Sequence, residues 1–233
     1  MEKLVYVVWK QVGATPGEFK DLMLGEVATR LQGLGVAKLS MNVADEHVAY
    51  ADSMRLTKFD PPPAATVSFW LDCADDRGPY EEVLTSATDR IAGYLVVESV
   101  PLHNTTHTAA LGERIPGTNM VALIERPEHI EYEKWISHWH GHHKRVALET
   151  QCTYLYIRNV VVRALTDDAP PWAGIVEEGF PTEAVTDPML WYSADGSQEK
   201  LEKNFGAMME SVGAFLDVAR VESHPMSEYR IKE

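Results

Sequence analysis

Strand-like and helix-like stretches recur in the same order in the two halves of this chain, and that repeated order constrains the fold more than any single motif. In the first half, Leu4 to Trp9 is an apolar run rich in β-branched and aromatic residues and predicts a strand. Thr15-Pro16-Gly17-Glu18 is a helix start, with threonine as cap, proline at the first helical position and glutamate three residues after the cap. Phe19, Leu22, Met23, Val27, Leu31 and Leu34 then share one helical face, and Gly33 and Gly35 end it. Val36 to Val43 and Ala65 to Leu71 predict strands, Pro79 to Leu95 a helix, and Val96 to Leu102 a closing strand. The order is β-α-β-β-α-β, the ferredoxin-like unit.

The second half repeats it. Met120 to Glu125 predicts a strand, Glu128 to Glu149 a helix, and Thr153 to Arg163 and Trp172 to Val176 two strands. Thr182 to Met189 and Ser197 to Met209 are helical, and Val218 to His224 is the last strand. The expected organisation is a scaffold unit at 1–104, a Thr/Gly/Pro-bearing connector at 105–117 and a second unit at 118–233. Each unit covers one sheet face with helices and leaves the other bare, and a bare apolar face must be buried. The expected fold class is therefore α+β, with two ferredoxin-like units packed sheet to sheet as a barrel. The alternative is two independent domains on a linker.

Composition narrows the function. A net charge of -14 disfavours nucleic acid and anionic membrane, both of which call for basic surface. Two cysteines make neither a disulfide framework nor a cysteine-rich zinc site. With no signal-peptide pattern and no membrane-length apolar run, the expected location is cytoplasmic. No P-loop, dinucleotide glycine fingerprint or nucleophile elbow is present, so no nucleotide cofactor is indicated.

Four of the nine histidines fall in one stretch, Trp135 to Val146. At ~100° per residue from Trp139, the side chains of Tyr132, Trp135, Ile136, His143 and Val146 share the apolar stripe, His142 lies at its edge, and His138 and His140 flank it. His143 is thus expected to point inward and His140 to face water. An inward histidine kept neutral by desolvation suits acid/base work; the plainer reading is a core histidine bonded to a carbonyl. Counting from Phe19 and Trp135, Met23 matches Trp139 and Val27 matches His143, so the fold itself does not require histidine there. The pairs His138/His142 and His140/His143 have spacings that can share a metal ion, but without further ligands in the pattern no metal is assigned. Glu177 and Glu178 sit at a strand end and read first as a solvated pair, with one of them pointing inward as the alternative; His224 reads as a strand terminus, and Tyr154, Tyr156 and Arg158 as one strand face.

The second half also resembles a known family. The strand Met120 to Pro127, the aromatic-x-x-x-Trp-x-x-x-His run from Trp135 to His143, the Tyr-containing strand from Tyr154 to Asn159 and the Gly-apolar-x-Glu-x-x-Phe strand from Gly174 to Phe180 are similar to the EthD-domain group of the dimeric α+β barrel superfamily. The resemblance implies cofactor-free lyase or isomerase chemistry (cyclisation, dehydration or decarboxylation) on a small apolar, aromatic or polyketide-like carbonyl compound. It implies His143 as acid/base, with His142, His138 and Tyr154 in support, and Trp139, Trp135, Tyr132, Tyr156 and Ile136 as substrate walls. The expected partners are such a substrate and a second copy of the fused chain. The competing expectation is a non-catalytic binder, or a haem- or metal-dependent protein of the same fold.

Overall fold

The computed structural model describes residues 1–233. Strand β1 spans Glu2–Trp9 and is followed by helix α1 over 16–33. The Thr15 cap forms as expected: its hydroxyl accepts from the Glu18 amide and the Glu18 carboxylate accepts from the Thr15 amide, an arrangement that contributes about 1 kcal/mol. Strands β2 (Ala37–Val43) and β3 (Ala65–Leu71), helix α2 (Gly78–Ala87) and strand β4 (Arg90–Leu102) complete the first half. The second half runs β5 (Thr118–Ile124), α3 (132–150), β6 (Leu155–Ala164), β7 (Gly174–Phe180), α4 (Pro188–Trp191), α5 (Gln198–Gly213) and β8 (Glu222–Lys232).

The eight strands close into one antiparallel barrel in the order β1-β3-β2-β8-β5-β7-β6-β4. The two half-sheets are joined along their edges, β2 to β8 and β4 to β6, so hydrogen bonds as well as facing side chains unite them. Closure leaves no free edge to pair with another chain. Alternation along the strands divides the core into three. Leu4, Tyr6 and Val8 point outward onto α1 and α2; Val5, Val7 and Trp9 point into the lumen; Tyr156 and Val176 point outward onto α3 and α5.

Two strands, β4 and β8, extend furthest beyond their expected bounds. Helix α2 stops at Ala87 and β4 begins at Arg90, because Gly93 must lie flat under the Tyr6 ring: a Cβ there would stand 2.5 Å from the ring. The final strand starts at Glu222 and runs through Pro225 to Lys232 instead of ending at His224. Proline is tolerated there because β8 changes neighbours at that point. It pairs with β5 over Glu222 to Met226 and with β2 from Ser227 on, so the missing N–H falls where no β2 partner awaits it.

Candidate functional site

Helix α3 carries the histidines, and it is not uniformly α-helical. Tyr132–Ser137 is α-helical, His138–His143 is π-helical and Lys144–Thr150 is α-helical again. A π turn holds an extra residue, so everything after it is rotated relative to a regular helix. Trp135 and Trp139, before and inside that turn, are buried against Tyr156, Val176, Met208 and Phe215, with Ile136 packed on the same cluster. Trp139 lies over Gly174, where a Cβ would stand 2.5 Å from the indole. Trp135, Trp139, Tyr156 and Ile136 therefore come together as the sequence pattern expects. Tyr132 does not: it is 48% exposed and only tilts against Trp135.

His143 follows the extra residue and faces helix α5 rather than a hollow beneath the sheet. Its Nδ1 stands 3.0 Å from the Ser211 hydroxyl and its ring 4.7 Å from Phe215. His138 shares the same partner, with Nε2 3.0 Å from the Ser211 carbonyl oxygen and 3.3 Å from its hydroxyl. His142 is exposed beside Arg145 and the His138 ring. Burial pushes His143 down to about 4, with the nearby His138, His142 and Arg158 acting the same way. Its counterpart Val27 also follows the start of a π-helical segment, Met23–Val27, and is fully buried in the core shared with α2. In both halves this position packs helix on helix. His140, expected in water, is half-buried with an unpartnered Nε2, and burial lowers it to about 4. Tyr154 lies apart from the helix, its ring over Gly179 and stacked on His107, its hydroxyl donating to the Pro116 carbonyl.

The sheet face under α3 retains unpartnered polar atoms: Arg158 Nη1, Glu178 Oε1 and Trp135 Nε1 are buried without a hydrogen bond. A cavity lined by buried charged side chains lies elsewhere, at one end of the barrel. One end of the lumen is apolar and closed: Trp9, Tyr94, Trp172 and Met226 fill it, and Phe59, from the segment after β2, stacks edge-on against Trp9 and Trp172. The other end is polar and opens into a cavity of about 430 Å³. Its floor is a hydrogen-bonded bridge across the lumen. Asn42 donates to Glu177 Oε2 at 2.9 Å and to Thr66 at 3.1 Å, Asn119 donates to Asn42 at 2.8 Å, and Asn159 donates to Glu177 Oε1 at 3.1 Å. Above it Lys3, 4% exposed, pairs with Glu98 at 2.5 Å and stands 4.0 Å from Glu177. Glu228 completes the group. Arg230 donates to its Oε1 at 3.2 Å, while its buried Oε2 has no partner. Burial pushes this carboxyl up to about 7; Arg230 opposes the shift and the Glu177 charge adds to it.

Sequence reasoning missed this site for two reasons. Glu177 is 5% exposed and points into the lumen, not into solvent as a strand-end pair would. Glu228, Arg230 and Lys232 lie past Pro225, where the expected strand had already ended. The available signal was the alternation Met226, Glu228, Arg230, Lys232 after the proline, continuing the period-two pattern of β8. His224, expected at a strand terminus, is fully buried in the barrel beside Arg55, and burial lowers it to about 3.

No protein-family model matches the chain, and no curated protein matches it in sequence. Solved structures do match in shape. An anthrone oxidase-like protein aligns over all of this chain and 94% of its own, with a TM-score of 0.59 at 8% identity. A provisional monooxygenase from Lactobacillus acidophilus NCFM aligns at a TM-score of 0.49 and 8% identity, over 99% and 96% of the two chains. A variant chlorite dismutase from Candidatus Nitrospira defluvii aligns at 0.47 and 10%, over 97% and 90%. The chain thus shares the overall fold of the anthrone oxidase-like protein, and one polypeptide supplies all eight strands of its closed antiparallel barrel. No helix is long and apolar enough to cross a membrane.

Proposed function

We propose that the polar end of the lumen binds a small carbonyl compound and moves a proton on it, as a cofactor-independent isomerase or lyase. The observation that carries this reading is the Glu228 carboxyl: buried, unpartnered at Oε2, raised to about 7, and lining a cavity of about 430 Å³ beside a second carboxylate. Two acidic groups held in different environments divide naturally into acid and base. Glu177 accepts hydrogen bonds at both oxygens and lies 4.0 Å from the Lys3 ammonium. Glu177 then takes the proton from the carbon beside the carbonyl, and Glu228 gives its proton to the carbonyl oxygen, leaving an enol. Return of a proton at another carbon completes an isomerisation; loss of a leaving group completes an elimination. The reaction class expected from the EthD resemblance is kept, and the acid/base role moves from His143 to Glu228.

The same reading takes the two halves, 1–104 and 118–233, as repeats of a ferredoxin-like unit. Support comes from the shared order β4-β1-β3-β2 and β8-β5-β7-β6, and from a π-helical segment in the first helix of each half. The cavity draws Lys3, Ser40 and Glu98 from one half and Ile157, Glu177 and Glu228 from the other, so neither half alone forms it.

Hydrogen exchange on a set of candidate carbonyl compounds tests the reading. A panel of small ketones and oxo acids is incubated with the protein in deuterated water, and deuterium uptake beside the carbonyl is followed by NMR. The expected result is uptake with at least one panel class, at a rate that falls as pH rises through about 7 and Glu228 loses its proton. Uptake that survives Glu228→Gln unchanged, or that vanishes in His143→Ala, defeats the assignment.

A further inference from the structure

The guest's charge can be inferred from the rim of the same cavity, and this step rests on the lumen reading above. Three cations stand side by side where β2 meets β8: Lys38, Arg230 and Lys232. Both strands are irregular at this point. The β2 register shifts between Ala37 and Leu39, and the β8 pairing shifts between Leu39 and Ser40, which meet Lys232 and Arg230. Lys38 holds φ +51°, a left-handed conformation that non-glycine residues rarely adopt. Bulges of this kind re-aim side chains and are common beside binding sites. Here the result sets the Lys38 ammonium 5.2 Å from the centre of the Trp70 ring, at the cavity edge.

Neither rim lysine has a carboxylate partner. The Lys232 ammonium donates to the Val36 carbonyl at 2.7 Å, and Lys38 has only the Trp70 face. In a chain of net charge -14, unpaired ammonium groups gathered at one opening are unusual and create a local positive field. Lys3 is committed to Glu98 and Arg230 to Glu228, which leaves Lys38 and Lys232 as the rim cations without an acidic partner. The opposite wall, at the β4–β6 seam, is apolar, formed by Val100, Leu155 and Ile157.

We propose that the lumen takes an organic anion: a carbonyl compound bearing a carboxylate, with the carboxylate on Lys38, Lys232 and Arg230 and its apolar part against Val100, Leu155 and Ile157. This orientation sends the carbonyl end toward Glu228 and Glu177. The rim lysines are binding residues in this scheme and take no part in proton transfer.

Isothermal titration with benzoylformate and with its uncharged methyl ester tests the proposal. The acid should bind at least tenfold more tightly than the ester, and the preference should disappear in the double variant Lys38→Gln, Lys232→Gln while ester affinity stays the same. Ile157→Trp, which fills the cavity, should remove binding of both. Equal binding of acid and ester, or a preference that survives the double variant, overturns the anion assignment and leaves the lumen reading standing. Binding of neither probe, or binding that Ile157→Trp leaves intact, overturns both.

Discussion

Two regions compete for the chemistry of this protein, both hold unpartnered buried polar atoms, and they differ in whether a sizeable cavity adjoins those atoms. On the histidine helix, His138 and His143 converge on one serine, Ser211, and their neighbours are large aromatic rings packed as core. In the lumen, an ion pair, three asparagines and two carboxylates surround open space, and one carboxyl oxygen stays unpartnered. Buried polar groups are normally hydrogen-bonded, and an orphan costs about 1–3 kcal/mol. A titratable group left with an unmet oxygen at the edge of a cavity is available to a guest. A cluster of chemically suggestive residues is therefore weaker evidence of function than a cavity with an unsatisfied group at its wall.

Substitution can break or sharpen this contrast. The largest expected effect is on turnover: Glu228→Gln should slow proton exchange by about 10²–10⁴-fold, the usual contribution of a positioned acid or base, while His143→Ala leaves it within a few-fold. Measuring both on the same substrate decides between the two regions, and the reverse outcome returns the chemistry to the helix.

Next in size is the cost of dismantling the lumen pair. Lys3→Met leaves Glu98 without its ammonium and should lower unfolding free energy by about 3–5 kcal/mol, much of it recovered when Glu98→Leu is added. Denaturant titration of the single and double variants checks this. A near-neutral single variant would mean that the pair is effectively solvated.

A smaller effect separates the pH behaviour of the two regions. Glu228 holds its proton up to about 7 in the folded chain and releases it at ordinary carboxylate pH when unfolded. Its contribution is full at low pH and is lost as pH rises through 7. Glu228→Gln should therefore stabilise the protein at pH 8 by about 2–3 kcal/mol and change little near pH 4. His143 behaves in the opposite sense. The unfolded chain binds a proton near 6.5 and the folded one refuses it until about 4, so acid destabilises. His143→Gln should reduce the loss of stability between pH 6.5 and 4, at a cost of about 1 kcal/mol at neutral pH from the weakened Ser211 contact. Thermal melts across pH distinguish these outcomes, and a histidine variant with an unchanged acid limb would place the sensitivity elsewhere, with His224 as the next candidate.

Much of the architecture was legible in local pattern. The threonine capping box, the alternation of β1, β3 and β7 and the spacing of Phe19, Met23, Val27 and Leu31 are short-range features set by backbone geometry and apolar periodicity. They suffice for the element order and for the shared helical face of Trp135 and Trp139. That His143 turns inward was legible from the helical wheel, but its partner Ser211 was not, because that serine comes from α5, far along the chain.

The sequence by itself determined which segments form strands and helices and which helical face is apolar, since that depends on neighbours within a few residues. Tertiary structure alone decided where the chemistry can occur. Pairing of β1 with β4 sets Lys3 against Glu98, closing the barrel sets Asn42 against Glu177, partners 95 and 135 residues apart, and the lumen encloses them together. Whether a carboxyl keeps its proton depends on what surrounds it, and those surroundings exist only after the two half-sheets have joined.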